Sequence, residues 1–393
     1  MGGGIAALWT LARLRGRGFR VALIEPGRLG QGQTLASQGI IHGGLKYTLS
    51  GLFNQRAAAV AAMPSRWRAA LAGKPELGDP SLTGATVLSE HCLLWRSSGL
   101  AAALGMIGAR AGLQTAPTLV PDAEVPALLR SATGSVYRVD EPVVQTASVL
   151  ETIRRAHQDA MLAADGIGAL EWSNARLRLK TAHAGVIECK SVRQIIVAAG
   201  GASEAIVEQL GVATSDSPRF VRRPLHMGLV RARAGCPPLP AFCGHNVDGK
   251  QTRVTITSGV DAQRGCVWQV GGKIAEDGVA MSEGEFRSRL QAELREVLPL
   301  LPQDVLEFAS YRVDRVEFAG VSRQEDAALE RVSQAISVAL PLKLALAPLL
   351  AERIEAELRA QGLQPHATPT TSRKVLATPV VGRFPWEERE WTH

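Results

Sequence analysis

The sequence predicts an α/β protein, α+β overall, in which a parallel, helix-flanked sheet lacking its first strand is joined to an antiparallel β-rich unit. Three observations carry this. Ile5, Leu8, Leu11, Ala12 and Leu14 recur at helical spacing directly after Gly2-Gly3-Gly4, and a strand-like run over 20–25 follows. A second apolar strand over 194–201 runs into a Gly-Gly turn and then into helical 203–211. Between 220 and 270, the pieces RPLHMGLVRA, TRVTITSG and CVWQVGG are separated by Gly, Pro and Asp turns, as in an antiparallel sheet.

Taken in order, the first helix ends in Arg15-Gly16-Arg17-Gly18, and Val21, Leu23 and Ile24 form a short buried strand closed by Glu25-Pro26. Residues 57–71 and 100–113 carry helical patterning. Residues 135–144 are strand-like, and 146–164 reads as one longer helix. A helix over 282–298, a strand over 306–318, a helix over 348–361 and a Pro/Thr-rich tail complete the chain. Because the parallel-type pieces stand at the start, middle and end, the expected domains are discontinuous: 1–65, 134–215 and 318–393 form one, and 66–133 with 216–317 the other.

With 393 residues, 46% of them hydrophobic, the chain can bury a sizeable core, and its length is compatible with two or three domains. The net charge of +7 comes from scattered arginines rather than a basic stripe interleaved with aromatics, so no nucleic-acid partner is expected. Five cysteines, an odd number without a C-x-x-C pair, argue for a reducing, cytoplasmic compartment. Cys236, Cys243 and His245 match no standard zinc spacing, and no metal is expected. The longest apolar stretch, 336–351, is broken by Pro341, Lys343 and Pro348 and is too short to span a bilayer; a peripheral membrane contact is compatible with this.

Two motifs carry chemistry. Gly2-x-Gly4-x-x-Ala7 is followed by a helix, a strand and Glu25, which lies 21 residues after Gly4. Glycines let the backbone approach a pyrophosphate, the helix start offers free N–H groups, Ala7 permits close packing, and an acid at this distance binds ribose hydroxyls. The second motif, GQTLASQGIIHGGLKY over 32–47, is dense in small and polar residues that can lie against a ligand. An ordinary tight loop has the same composition.

The segment SQGIIHGGLKY resembles the flavin-contacting segment of the D-amino-acid oxidase, glycine oxidase and glycerol-3-phosphate dehydrogenase superfamily of FAD-dependent oxidoreductases, and IIVAAGGAS resembles its second FAD motif. The resemblance implies a Rossmann-like FAD-binding domain and a substrate domain. It would put Gly2, Gly4 and Ala7 on the pyrophosphate and Glu25 on the adenosine ribose. Gln33, Thr34, Ser37, Gln38 and Gly39 would run beside the cofactor, with Ile41, His42, Gly43 and Gly44 near the isoalloxazine. Ala175 would approach the adenine, and Gly200 and Gly201 would follow the second motif. Leu342, Lys343 and Leu344 would stand at the flavin pyrimidine edge, where the glycines usual in the family are absent.

Some relatives attach FAD through a histidine in the loop that holds His42, and others do not. His42, His226, Tyr311 and Arg312 are the catalytic candidates, with Arg315 as a further carboxylate-binding guanidinium. The implied reaction is hydride transfer from the carbon bearing the amine or hydroxyl of a small amino or hydroxy acid. Oxygen or a quinone would accept the electrons. Glycerol-3-phosphate or 2-hydroxy-acid dehydrogenation, and an inactive flavoprotein-like scaffold, are the alternatives. Since a parallel sheet without its central strand leaves backbone groups unpaired beside the cofactor, Met1 is expected to be an internal methionine of a chain beginning several residues upstream.

Overall fold

A computed structural model describes residues 1–44, 55–96, 117–131, 134–164, 166, 168–182, 185–212, 218–248, 251–262, 265–319, 327–341, 343–365 and 377–392. The helix expected over 100–113 and Leu342 lie outside them.

The first helix, Ile5–Gly16, is buried from Ile5 to Leu14, as its nearly all-round apolar sequence requires. It lies against the helix Ala347–Ala360, and both contribute to one core with Trp67, Leu150 and Ile153. Gly2 precedes it with φ +113°. The Gly2 N–H donates to Ile24 O (2.9 Å), the Met1 amine to Ile196 O (2.7 Å), and the Ala198 N–H to Met1 O (2.8 Å). Met1 and Gly2 therefore sit between the strands Leu23–Glu25 and Ile195–Val197. Leu23–Glu25 pairs on its other side, in parallel, with Met161–Ala163. Ile195–Val197 pairs with Ile336–Pro341, which is followed by antiparallel Ala327–Ser333. A cavity of about 380 Å³ runs along the gap between the two strand sets.

A Cβ on Gly2 would collide with the Ala198 carbonyl, and its φ is one that side chains rarely adopt. Gly2→Ala is expected to destabilise the protein by roughly 2 kcal/mol. Thermal unfolding of the purified variant measures the effect.

The expected 146–164 helix stops at His157, because Met161–Ala163 is taken up as the parallel partner of Leu23–Glu25. A three-stranded meander, Ala169–Ser173, Arg176–Thr181 and Gly185–Cys189, follows without having been anticipated.

The β-rich unit is an eight-stranded sheet ordered Leu306–Phe318, Phe220–Ala232, Gly265–Gly271, Gln251–Asp261, Gly244–Asp248, Cys92–Trp95, Tyr137–Val139 and Thr118–Leu119. The helix Glu283–Val297, started by a Ser282/Glu285 capping box, covers it, with Leu290 pressed against Gly228 where a side chain would not fit. Packing crosses the expected boundaries at two places. Trp67, Ala70 and Leu82 belong to the core of the helix-flanked sheet, and Tyr137–Val139 belongs to the large sheet.

One polar cluster is buried in the first core. Both oxygens of Asp79 bind Arg66 (2.7 and 3.1 Å), and its Oδ1 also accepts from Arg13 (3.0 Å) and from Trp9 Nε1 (3.1 Å). Glu355, Glu352 and Glu76 are further anionic partners of the two arginines.

Candidate active site

A cavity of about 270 Å³ lies between the first helix and the large sheet. Ile5, Gln33 and Thr34 line one part of it, Ser37, Gln38 and Gly39 the next, and His42, Gly44, Glu141, His245, Arg315, Lys343 and Leu344 other walls.

Local structure explains this arrangement. Gly32 (φ +101°) starts the short helix Gln33–Ala36, Thr34 Oγ1 accepts the Ile5 N–H (3.1 Å), and Ser37 Oγ donates to Thr34 O (2.8 Å). Gln33 Nε2 donates to Asp314 O (2.7 Å), and Gln38 Nε2 to Thr255 O (2.9 Å) and Gln269 O (3.1 Å), tying the loop to the large sheet. Gly39 (φ +71°) crosses Val144 where a Cβ would collide with the Val144 carbonyl. The Val144 N–H donates to Gly39 O, Ile40 bridges Val143, and the Ile41 N–H donates to Pro142 O. Carried one residue further, this antiparallel register brings His42 to Glu141.

Glu141 is 1% exposed. Its Oε1 accepts the Gly43 N–H (2.8 Å), and its Oε2 lies 3.2 Å from His42 Nδ1. His245, delivered by the strand Gly244–Asp248 two strands away from Tyr137–Val139, has Nε2 3.4 Å from the same oxygen and Nδ1 3.0 Å from Thr255 Oγ1. The donor atoms of the three side chains lie within 4.8 Å of one another. Burial pushes the Glu141 carboxyl up, but the charges and hydrogen bonds of His42 and His245 outweigh it and hold the pKa well below the usual carboxylate range. Burial lowers the His42 pKa below its ordinary value, against the opposing pull of Glu141. The side chain of His42 is 35% exposed.

The other expected residues divide clearly. Gly2 and Gly4 frame the helix start, and Ala7 is buried in the core. The Glu25 carboxylate lies against Gly3 and accepts the Gly27 N–H (2.7 Å), and burial raises its pKa. Ile41 is fully buried in the core rather than on the cavity wall. Ala175 is in the hairpin turn between Ala169–Ser173 and Arg176–Thr181 with φ +58°, outside the cavity; Met161–Ala163 is the mid-chain strand beside Glu25. Gly200 and Gly201 form a 3-10 turn after Ala198 and do not line the cavity either.

Three of the four catalytic candidates do not line this cavity. His226 is completely buried, stacks on Phe286 with centroids 3.9 Å apart, and bonds Gly278 O (3.0 Å) and Ser310 Oγ (2.9 Å). Tyr311 is buried, donates to Ala36 O (2.7 Å) and accepts from Gln269 Nε2 (2.9 Å). Arg312 faces outward and donates to Val279 O (2.6 Å) and Met281 O (2.5 Å). Only His42 reaches the cavity, joined by Arg315. Glu141 and His245 escaped the sequence reading as a pair; a carboxylate placed in the apolar stretch Glu141-Pro142-Val143-Val144 was the available signal.

No helix among the described residues is long and apolar enough to cross a membrane. Residues 1–331 match the family model of FAD-dependent oxidoreductases of the D-amino-acid oxidase type. The probable FAD-dependent oxidoreductase PA4991 of Pseudomonas aeruginosa is 36% identical over 389 residues, covering 96% of this chain and 95% of that protein. Its crystal structure superposes with a TM-score of 0.80 at 31% identity, over 98% of this chain and 96% of the other. Glycine oxidase from Geobacillus kaustophilus (TM-score 0.64, 14% identity, 93% and 97% coverage) has the same fold. So does FAD-bound L-alpha-glycerophosphate oxidase from Mycoplasma pneumoniae (0.65, 13%, 93% and 95%). The chain belongs to the FAD-dependent oxidoreductase family.

Proposed function

We propose that this protein oxidises the C–H bond beside the hydroxyl or amine of a small hydroxy or amino acid, with His42 taking the substrate's O–H or N–H proton. The observation that carries this reading is that His42 and the cations Arg315 and Lys343 line one cavity.

FAD is the cofactor, and the residues present fit it. The first helix begins at Gly4, which has no side chain of its own to cap it; Thr34 Oγ1 takes the Ile5 N–H, and with no acidic residue in the first turn the helix start suits a pyrophosphate. Gly2, Gly4 and Glu25 stand at that helix start, and the cavity leads from there along residues 33–39 to His42. FAD held there would supply a hydride acceptor for the substrate carbon.

The chain's own groups do the remainder. Arg315 Nε is buried without a hydrogen-bond partner among the described residues, and one terminal nitrogen lies 3.7 Å from Glu276. A substrate carboxylate would satisfy that guanidinium and orient the neighbouring carbon. With Nδ1 engaged by Glu141, His42 has Nε2 to receive the proton, and its lowered pKa keeps it neutral and basic at pH 7. This favours a hydroxy acid, because a hydroxyl must give up its proton for the carbonyl to form. Oxygen or a quinone would take the electrons, and five cysteines without a C-x-x-C pair suit a cytoplasmic setting.

Anaerobic mixing of the flavin-loaded protein with 2-hydroxy acids, amino acids and glycerol 3-phosphate tests the reading. Bleaching of the flavin by a hydroxy or amino acid is expected; bleaching by glycerol 3-phosphate alone, or by none, would overturn it. Arg315→Gln is expected to raise KM for that acid about 10- to 100-fold, the worth of a charged hydrogen bond, with a smaller change in kcat.

A further inference from the structure

We infer that Glu141 is a positioning residue that selects the tautomer of His42, fixing the proton on Nδ1 and presenting an unprotonated Nε2 to the substrate. This rests on the reading of His42 as the proton acceptor. Glu141 is an ionised carboxylate. It accepts hydrogen bonds and donates none, so the neutral imidazole 3.2 Å away must carry its hydrogen on Nδ1. The lone pair is then confined to Nε2. When His42 gains the substrate's proton, the adjacent carboxylate is already in place to stabilise the imidazolium, with no reorganisation at the moment of transfer.

Glu141 is itself held from two sides. Its Oε1 receives the Gly43 N–H at 2.8 Å, and the buried Nε2 of His245 stands 3.4 Å from Oε2. His245 is in turn anchored through Nδ1 to Thr255 Oγ1 at 3.0 Å. The Gly43 contact makes the consequence of an isosteric change specific. In Glu141→Gln the amide oxygen must stay on the Gly43 N–H, which puts the NH₂ group at the Oε2 position. His42 then meets a donor, must accept through Nδ1, and moves its hydrogen to Nε2. The base is lost although the shape of the site is kept.

The test compares wild type, Glu141→Gln and His42→Gln as FAD-loaded proteins. Imidazole ¹⁵N shifts of histidine-labelled protein, with the His42 signals identified by their absence in His42→Gln, report the tautomer directly. Wild type should show protonated Nδ1 and unprotonated Nε2, and Glu141→Gln the reverse. The kcat of Glu141→Gln should fall at least about 10²-fold, the scale on which a wrong histidine tautomer acts, with KM changed less than about threefold. A visible spectrum like wild type shows that the variant has folded around its cofactor. The inference is overturned by unprotonated Nδ1 in the wild type, by an unchanged tautomer in Glu141→Gln, or by kcat within threefold. One equivalent of divalent metal bound to wild type and absent from Glu141→Gln would also overturn it, since the three side chains would then serve an ion. Full activity in His42→Gln strikes instead at the assignment of His42 as base; an inactive His42→Gln beside an active Glu141→Gln strikes at the present inference alone.

Discussion

His42→Gln should lower kcat by about 10²- to 10⁴-fold, the range over which a positioned general base contributes. The flavin content should be unchanged. Glutamine can still fill the space over Glu141, but it offers no group that takes up a proton near neutral pH. In the wild type, kcat/KM should rise with pH and level off, because the base works only when unprotonated. The midpoint of that rise should lie below 6.5, since burial lowers the His42 pKa. Three groups face His42 and set the position of the limb: Glu141 raises the pKa, while His245 and Lys343 lower it. The limb should vanish in His42→Gln. Steady-state rates from pH 4.5 to 8.5 on both proteins check this, and a limb that survives the substitution would assign the proton transfer to another group.

How much of this site could be read from the sequence depends on how local its parts are. The glycine turn, the first helix and Glu25 are contiguous or nearly so, and periodicity with spacing was enough to locate them. The described part of the next loop, 32–44, was legible for the same reason, because Gly39 is demanded by close approach to Val144 and Gly32, Gly39 and Gly44 by a left-handed backbone that the sequence announces. His226, Tyr311 and Arg312 had the chemical types of catalytic residues, but their roles depend on which face of Phe220–Ala232 or Leu306–Phe318 each one takes. His226 stacks beneath the helix Glu283–Val297, Tyr311 points at Ala36, and Arg312 turns toward Val279. Arg315 is three residues beyond Arg312 on the same strand, hence on the opposite face, and it lines the cavity. Glu141 and His245 are 104 residues apart and meet because Cys92–Trp95 joins the strand of His245 to Tyr137–Val139, which ends two residues before Glu141. No local signal contains that pairing. The helix expected over 146–164 fails in the same way, since the strand Met161–Ala163 exists for a partner near residue 24.

Asp79→Ala should cost about 3–5 kcal/mol of stability, the usual consequence of removing one partner from a buried ion cluster. The Asp79 side chain is 1% exposed, and those of Arg13 and Arg66 are 9% and 7% exposed. Without it, Arg13 keeps Glu355 and Arg66 keeps Glu352 and Glu76, both about half exposed, while two guanidinium groups and the Trp9 indole N–H lose contacts that water cannot replace inside the core. Asp79→Asn should cost less, because an amide oxygen can still accept from Trp9 and one arginine even though the charge is gone. Trp9 and Trp67 have ring centroids 4.6 Å apart beside this cluster, so tryptophan fluorescence during urea unfolding reports on the affected core. A loss under about 1 kcal/mol for Asp79→Ala would mean that the arginines find solvent, as surface pairs do. The effect also reaches the cofactor. Trp9 and Arg13 belong to the helix whose start we propose holds the pyrophosphate, so loosening their anchor should let that helix start move and weaken flavin retention even where the protein remains folded.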